Sequence, residues 1–164
     1  MGIEIERKFL LKNQNWRNEV IVPPENFVQG YFQRVSGGPT VRIRIADQKG
    51  IITIKGRNKE DSGIGRSEFE YLIPLQDAEN MLSEFCGSRI VKKLRYRFPA
   101  GNGLFWEVDE YLDLNAGLFT AEIELPSADT EFCRPEWLGD DVSGDPRYSN
   151  GALSVKPFSL WEEQ

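Results

Sequence analysis

The sequence predicts a mainly β protein of the α+β class: an antiparallel sheet of eight strands that closes into a barrel and carries a few peripheral helices. Three observations support this fold. Apolar and charged residues alternate with a period of two in short segments, turn-forming residues separate these segments, and nearly every segment has one charged face. About eight strands is also the number at which a sheet can close around side chains or one small ligand.

The predicted strands follow one another along most of the chain. Clusters of Gly, Asp, Asn, Ser and Pro separate them, as at residues 36–39 and 101–103, and such clusters are typical of tight turns. We expect strands near residues 2–11, 28–35, 40–46, 50–55, 67–73, 90–98, 104–110 and 119–125.

Helical signals are fewer. Within residues 76–86 apolar side chains recur at helical spacing, and Gly87 can end this helix. Shorter helices are expected near residues 13–20 and in a C-terminal segment that runs through Leu153. These helices are too few to change the fold class.

Length and charge limit the classes of function. The 164 residues and the 40% hydrophobic content suit a single domain, which we expect to span residues 1–164. The net charge of −6 argues against a nucleic-acid-binding surface, because phosphate backbones attract an excess of exposed Lys and Arg. An anionic ligand would therefore need a local basic pocket.

The sequence contains no sign of a membrane segment. No apolar run is long enough to cross a bilayer and the N-terminus does not resemble a signal peptide, so we expect no membrane partner. Residue types that are rare or absent limit the possible chemistry as well. Two cysteines are too few for a disulfide framework, which fits a cytoplasmic protein. The chain has no histidine, and this excludes imidazole as a base, a nucleophile or a metal ligand.

The charged face of the predicted sheet allows two interpretations. Charges spaced by two residues usually mark a solvated face. Here, however, the positions are almost all ionisable and most strands have one sign, as in Arg42 with Arg44 and Glu68 with Glu70. Like charges repel unless neighbouring strands or a ligand supply the opposite sign, which favours a charged interior. The apolar outer wall would then be covered by the helix at 76–86 and by the segments around Trp16 and Trp137.

A charged interior indicates a charged ligand, because buried charges are costly unless they are paired, hydrogen-bonded or metal-bound. Arginine and lysine suit phosphate oxygens. Carboxylates can lie beside phosphate when a divalent cation bridges the two, and oxygen ligands select Mg²⁺ or Mn²⁺. We expect phosphate binding by Lys8, Arg42, Arg44, Lys55, Lys93 and Arg95, and metal binding by Glu4, Glu6, Glu122 and Glu124.

These groups suit phosphoryl transfer, in which catalysis comes mainly from alignment and charge neutralisation. Hydrolysis needs only an oriented water molecule. We expect Glu4 or Glu6 to hold that water, directly or through the metal, and Lys93 to ease departure of the leaving phosphate. Further acids that could bind metal or position water are Glu68, Glu70, Glu107 and Asp109.

The charged motifs also occur in a recognisable order. The first is Glu4-Ile5-Glu6-Arg7-Lys8, and the later ones are Val41-Arg42-Ile43-Arg44, Thr53-Ile54-Lys55-Gly56, Glu68-Phe69-Glu70, Lys93-Leu94-Arg95-Tyr96, Trp106-Glu107-Val108-Asp109, Ala121-Glu122-Ile123-Glu124 and Asp145-Pro146-Arg147-Tyr148. This order resembles that of the CYTH family, the triphosphate tunnel metalloenzymes, whose signature is ExExK. A lone ExExK is a weak signal, whereas a series of ordered matches over essentially the whole chain is specific.

The resemblance implies an eight-stranded tunnel, Mg²⁺ or Mn²⁺, and a small substrate with a linear triphosphate. With its compact layout and its late DPRY segment, the chain most resembles the bacterial inorganic tripolyphosphatases of this family, which release pyrophosphate and phosphate. Tyr31 resembles a family tyrosine near the tunnel mouth. A class IV type adenylate cyclase, a thiamine triphosphatase and a non-catalytic polyphosphate-binding module are the alternatives. A homodimer is plausible because it would cover apolar outer wall.

Overall fold

The computed structural model describes residues 2–3, 5–57 and 66–162. Within these ranges ten strands form one sheet, and all of the strand pairings are antiparallel. The strands are β1 (Gly2–Ile3), β2 (Glu6–Leu11), β3 (Glu25–Tyr31), β4 (Thr40–Ala46), β5 (Lys49–Lys55), β6 (Ser67–Ile73), β7 (Ile90–Gly101), β8 (Leu104–Tyr111), β9 (Phe119–Glu124) and β10 (Leu138–Asp141).

The two ends of the sheet meet at the N-terminal segment. Neighbouring strands follow the order β1-β6-β5-β4-β3-β7-β8-β9-β2-β10. β1 pairs with β6 and β2 pairs with β9, although only residues 4 and 5 separate β1 from β2 along the chain. Among the described residues the hydrogen-bonded ladder does not itself close, but the N-terminal segment that carries β1 and β2 connects its two ends, and the strands surround one central cavity. The predicted mainly β, antiparallel fold is confirmed.

The main hydrophobic core lies outside the wall of this barrel. On β8 and β9 the apolar residues Trp106 and Ile123 face outward and are buried, because residues of one parity share one face of a strand. Trp16 and Trp137 pack against them from two covering segments, as predicted. Trp137 meets Trp106 edge to face with 5.4 Å between ring centroids.

A helical segment covers the opposite side of the wall. It consists of α1 (Leu75–Met81), which continues as a π-helical turn at Leu82–Cys86 and ends at Gly87, whose φ of 59° is left-handed. This segment confirms the predicted helix at 76–86. It lies very close to the sheet, since a Cβ at Gly30 would stand only 2.7 Å from the Leu82 side chain.

The C-terminal segment packs against one part of the barrel interior. It contains a 3₁₀ turn at Pro146–Tyr148 and then α2 (Asn150–Val155), for which Ser149 is the N-cap. Tyr148 and Leu153 form a second apolar cluster with Val91 and Tyr111, which project inward from β7 and β8. Further 3₁₀ turns lie at Asn15–Glu19, Asp113–Asn115 and Phe158–Leu160.

Several predicted bounds differ from the structure. The predicted first strand is divided into β1 and β2, and β3 spans residues 25–31 rather than 28–35. β10 was not predicted, because Leu-Gly-Asp-Asp has little β propensity. It pairs with β2 at a point where Gly139 approaches the backbone of Leu10 closely. Within the described part of the chain, no helix combines the length and the apolar character needed to cross a membrane.

Candidate active site

The barrel interior contains a cavity of about 940 Å³. Among the described residues, nine cationic and six glutamate side chains line it. Its wall therefore carries an excess of basic groups, although the whole chain has a net charge of −6. The lining includes Tyr31, which the family resemblance placed near the tunnel mouth. It also includes most of the charged side chains predicted from the alternation, namely Glu6, Lys8, Arg42, Arg44, Lys55, Glu68, Glu70, Lys93, Arg95, Glu107, Glu122 and Glu124.

Two of the predicted site residues are not among the described residues that line the cavity, and three cations that do line it were not predicted. Glu4 lies outside the described residues, and Asp109 is buried behind the cavity wall. The unpredicted cations, Arg34, Arg66 and Arg89, lie just beyond the ends of strands. Arg66 has the parity of Glu68, and Arg89 has that of Lys93. Extending the alternation past each strand end would have found these two arginines.

Lys93, Arg95 and Asp109 form the most deeply buried part of the site. The Nζ of Lys93 donates to Asp109 Oδ2 at 2.7 Å, and Arg95 donates to both Asp109 oxygens at 2.8 Å. Burial lowers the pKa of Lys93 to about 7, against the opposing attraction of Asp109. Burial would raise the pKa of Asp109, but Arg95 and Lys93 together lower it, so the carboxylate stays ionised.

Lys8 and Glu122 form a second buried pair. They face each other in the register of β2 and β9, and Lys8 Nζ lies 3.7 Å from Glu122 Oε1. Burial alone would raise the pKa of Glu122, yet Lys8 and Arg95 lower it. Lys8 also donates to the backbone oxygen of Tyr148 at 2.9 Å, which ties the C-terminal segment to the cavity wall.

Arg42 and Arg44 lie side by side on the inner face of β4. The Nη2 of Arg42 donates to Thr53 Oγ1 at 3.1 Å, while its buried Nε has no hydrogen-bond partner among the described residues. Arg44 donates to Gln29 Oε1 at 3.0 Å and stacks over the ring of Phe27. Burial, Arg42 and Arg95 together lower the pKa of Arg44 to about 10. Such crowded cations would gain from an anion in the cavity.

The family is decided by comparison with known proteins. A family model described as the CYTH domain matches residues 2–150, which is most of the chain. The protein belongs to the CYTH domain family. The predicted resemblance is therefore confirmed.

The relatives of this CYTH protein are similar over their full length. A protein named inorganic triphosphatase from Acetivibrio thermocellus is 39% identical over 163 residues, covering 99% of this chain and 100% of the relative. A protein of the same name from Nitrosomonas europaea is 31% identical over 154 residues, covering 93% and 97%. A crystal structure of an inorganic triphosphatase is 29% identical with a TM-score of 0.68 and covers 94% of this chain and 96% of that one.

Membership of the CYTH family implies dependence on a divalent metal ion. The donor chemistry of the wall agrees, since Glu6 is opposite Glu124 and Glu107 is opposite Glu122 in the strand register. Like charges placed in this way repel unless a cation lies between them. Within residues 2–3, 5–57 and 66–162 no three carboxylates converge as a complete metal site. The fourth predicted ligand, Glu4, is outside these ranges.

Proposed function

We propose that this protein is a divalent-metal-dependent triphosphatase that hydrolyses inorganic tripolyphosphate to pyrophosphate and phosphate. The observation that carries the proposal is the basic cavity of about 940 Å³ inside an acidic CYTH protein. A small polyanion gains from that excess of cations, whereas the net charge of −6 argues against a surface that attracts nucleic acid. The names of the two relatives support inorganic triphosphate as the substrate.

Six cations are proposed to hold the phosphate chain, and their partners suit that role. The Nε of Arg42 is unpaired among the described residues and the ion pair of its Nη2 with the half-exposed Glu70 is long, at 3.8 Å, while Arg44 donates to a neutral oxygen, so both remain able to bind an anion. Arg95 is fixed in one orientation by Asp109, which prepares its guanidinium before the substrate arrives. The proposed set is Lys8, Arg42, Arg44, Lys55, Lys93 and Arg95.

We propose Mg²⁺ or Mn²⁺ as the metal, held by Glu4, Glu6, Glu122 and Glu124. Oxygen ligands favour both ions. The ion would neutralise charge on the phosphate oxygens and would favour an ionised water. Glu68, Glu70 and Glu107 line the same cavity and are proposed to bind metal or to orient water. Asp109 has both oxygens occupied by Lys93 and Arg95, which suits a positioning role.

The chemical step follows from these positions. An oriented water oxygen forms a bond to a terminal phosphorus, and the bond from that phosphorus to the bridging oxygen breaks. Glu4 or Glu6 is proposed to orient the water and accept its proton, and Lys93 to balance the charge that develops on the departing pyrophosphate. The hydrogen-bonded network of Lys93, Arg95 and Asp109 favours this step because its charged groups are already held in position before the substrate binds.

Three broader expectations remain proposals. We propose one domain over residues 1–164, supported by the packing of Leu153 and Phe158 against the barrel's second apolar cluster. We propose a cytoplasmic location from the small number of cysteines. A homodimer stays a prediction that depends on exposed apolar residues such as Tyr71 and Leu72.

The test is a product assay with purified protein. Tripolyphosphate, ATP and thiamine triphosphate are each supplied with Mg²⁺ and with Mn²⁺, and phosphate, pyrophosphate and cyclic AMP are measured. We expect fastest turnover of tripolyphosphate, loss of turnover with EDTA, and at least a 100-fold loss in Glu6→Gln. Glu79→Gln, a matched change on the exposed face of α1, should retain activity. Cyclic AMP would instead support a cyclase, and no turnover of any substrate would support a binding module.

A further inference from the structure

Gln29 is a buried polar residue that the proposed roles leave unexplained. Its side chain is fully buried, at 0% exposure, and it does not line the cavity. It projects inward from β3 and is directly opposite Arg44 of β4 in the strand register. A buried amide needs partners for both its oxygen and its nitrogen, and Gln29 has both.

The two contacts of Gln29 connect two residues that line the cavity. Its Oε1 accepts a hydrogen bond from Arg44 Nε at 3.0 Å, and its Nε2 donates to the hydroxyl oxygen of Tyr31 at 2.9 Å. This pairing leaves only one orientation of the amide in which both contacts are satisfied. Gln29 therefore fixes the Nε side of the guanidinium of Arg44, a residue that itself lines the cavity.

The partners of Arg44 and Arg95 differ in charge. Arg95 is held by the carboxylates of Asp109 and Glu107. Arg44, in contrast, has no ion pair with a carboxylate of the described residues, and its side-chain hydrogen bond goes to the neutral amide of Gln29. A neutral acceptor can orient a guanidinium without cancelling its charge, so that charge is still available to a triphosphate.

Resting on the proposed function, we infer that Gln29 is a positioning residue: it orients Arg44 toward the triphosphate and, being neutral, leaves the charge of Arg44 for the substrate. Two requirements follow for position 29. The side chain must offer an oxygen to Arg44 Nε, and that oxygen must not be anionic. The two requirements can be separated by two substitutions of similar size.

Gln29→Glu keeps the acceptor and adds a charge. The new carboxylate would pair with Arg44, a buried cation that has no such partner now, so we expect the thermal midpoint to stay equal or rise. Because the charge of Arg44 is then neutralised, we expect KM for tripolyphosphate to rise about tenfold with a smaller change in kcat. Substrate affinity would thus fall while stability is kept or increased, which a purely structural role does not predict.

Gln29→Met removes the acceptor and keeps the approximate shape. We expect both a lower thermal midpoint, because Arg44 Nε and the Tyr31 hydroxyl lose a partner, and a higher KM. The matched control is Asn115→Asp, which places the same amide-to-carboxylate change at a buried position whose Oδ1 accepts from the backbone of Phe158. Its KM should equal that of the wild type.

The measurements are steady-state kinetics with tripolyphosphate and metal, thermal melting, and calorimetric binding of tripolyphosphate without metal. The inference would be overturned if Gln29→Glu had the KM of the wild type. It would also be overturned if KM rose in these variants only to the extent that the thermal midpoint fell. Failure of the proposed function is a separate result: the wild type would then show no turnover, and calorimetry would still test whether Gln29→Glu weakens tripolyphosphate binding.

Discussion

Asp109 shows how a single carboxylate can organise two cations. It is completely buried, and its oxygens accept from Lys93 Nζ and from Nε and Nη2 of Arg95. A buried charge that loses its partner keeps its desolvation cost without the compensating attraction. The stability of the fold and the order of the active site therefore depend on the same residue.

Asp109→Asn should lower the free energy of unfolding by about 3–5 kcal/mol, because it leaves Lys93 and Arg95 buried without this carboxylate. Urea denaturation at pH 7 measures the change. The control is Glu110→Gln, the next residue on β8, which breaks a partly exposed pair with Arg17 and should cost at most about 1 kcal/mol. Equal losses in the two variants would contradict the buried network.

The same carboxylate predicts the response to acid. Arg95 and Lys93 hold the pKa of Asp109 below its ordinary value of 3.8 in the folded protein, despite the opposing effect of burial. The unfolded chain thus binds more protons near pH 4, and stability falls as pH falls. The contribution is complete well above pH 4, where the carboxylate is ionised in both states, and is lost progressively as pH falls through and below that value. Thermal midpoints measured from pH 6 to pH 3 should fall less steeply in Asp109→Asn than in the wild type.

Strands are the scale at which the sequence was most informative. The period-two alternation predicted which side chains share a face of nearly every strand, because this follows from parity alone, and the single-signed charges of that face favoured an inward direction. It could not identify Arg34, which follows the end of β3 where parity no longer applies. Gln29 has the correct parity but carries no charge, so a search for ionisable residues passed over it.

β10 shows what strand patterns cannot predict. Its pairing with β2 brings the two backbones very close together, since a Cβ at Gly139 would lie 2.8 Å from the backbone oxygen of Leu10. A contact between segments so distant in sequence has no local signal. β2 also carries Glu6 and Lys8, so the contact supports the strand on which two site residues lie.

Gly139→Ala should therefore separate β10 from β2 and lower the free energy of unfolding by about 1–3 kcal/mol, since the neighbouring atoms belong to the backbone and cannot move aside. The loss should appear in chemical denaturation, together with faster amide exchange in Lys12, whose N–H bonds to the Trp137 carbonyl beside β10. Gly144→Ala is the control, because a Cβ there has no atom within 4 Å. Equal effects of the two substitutions would refute this account of β10.

Over the whole molecule, charge is distributed unevenly between surface and interior. The chain has a net charge of −6, whereas the described cavity wall has three more cations than carboxylates. Total charge was sufficient to argue against a nucleic-acid-binding surface, but only the folded sheet brings residues from eight strands around one cavity. The charged motifs along the sequence predicted most of the side chains that line this cavity. The pairing of distant strands determines the shape of the cavity.

This distribution predicts that tripolyphosphate stabilises the fold even without metal. A ligand that binds only the folded state adds about 2.7 kcal/mol at 100 times its Kd, so the thermal midpoint should rise with tripolyphosphate in EDTA. Arg44→Gln and Lys12→Gln change the net charge equally, but only Arg44 lines the cavity. Most of the rise should disappear in Arg44→Gln and persist in Lys12→Gln. If both variants lose it equally, the attraction belongs to the net charge of the molecule and the cavity is not the binding site.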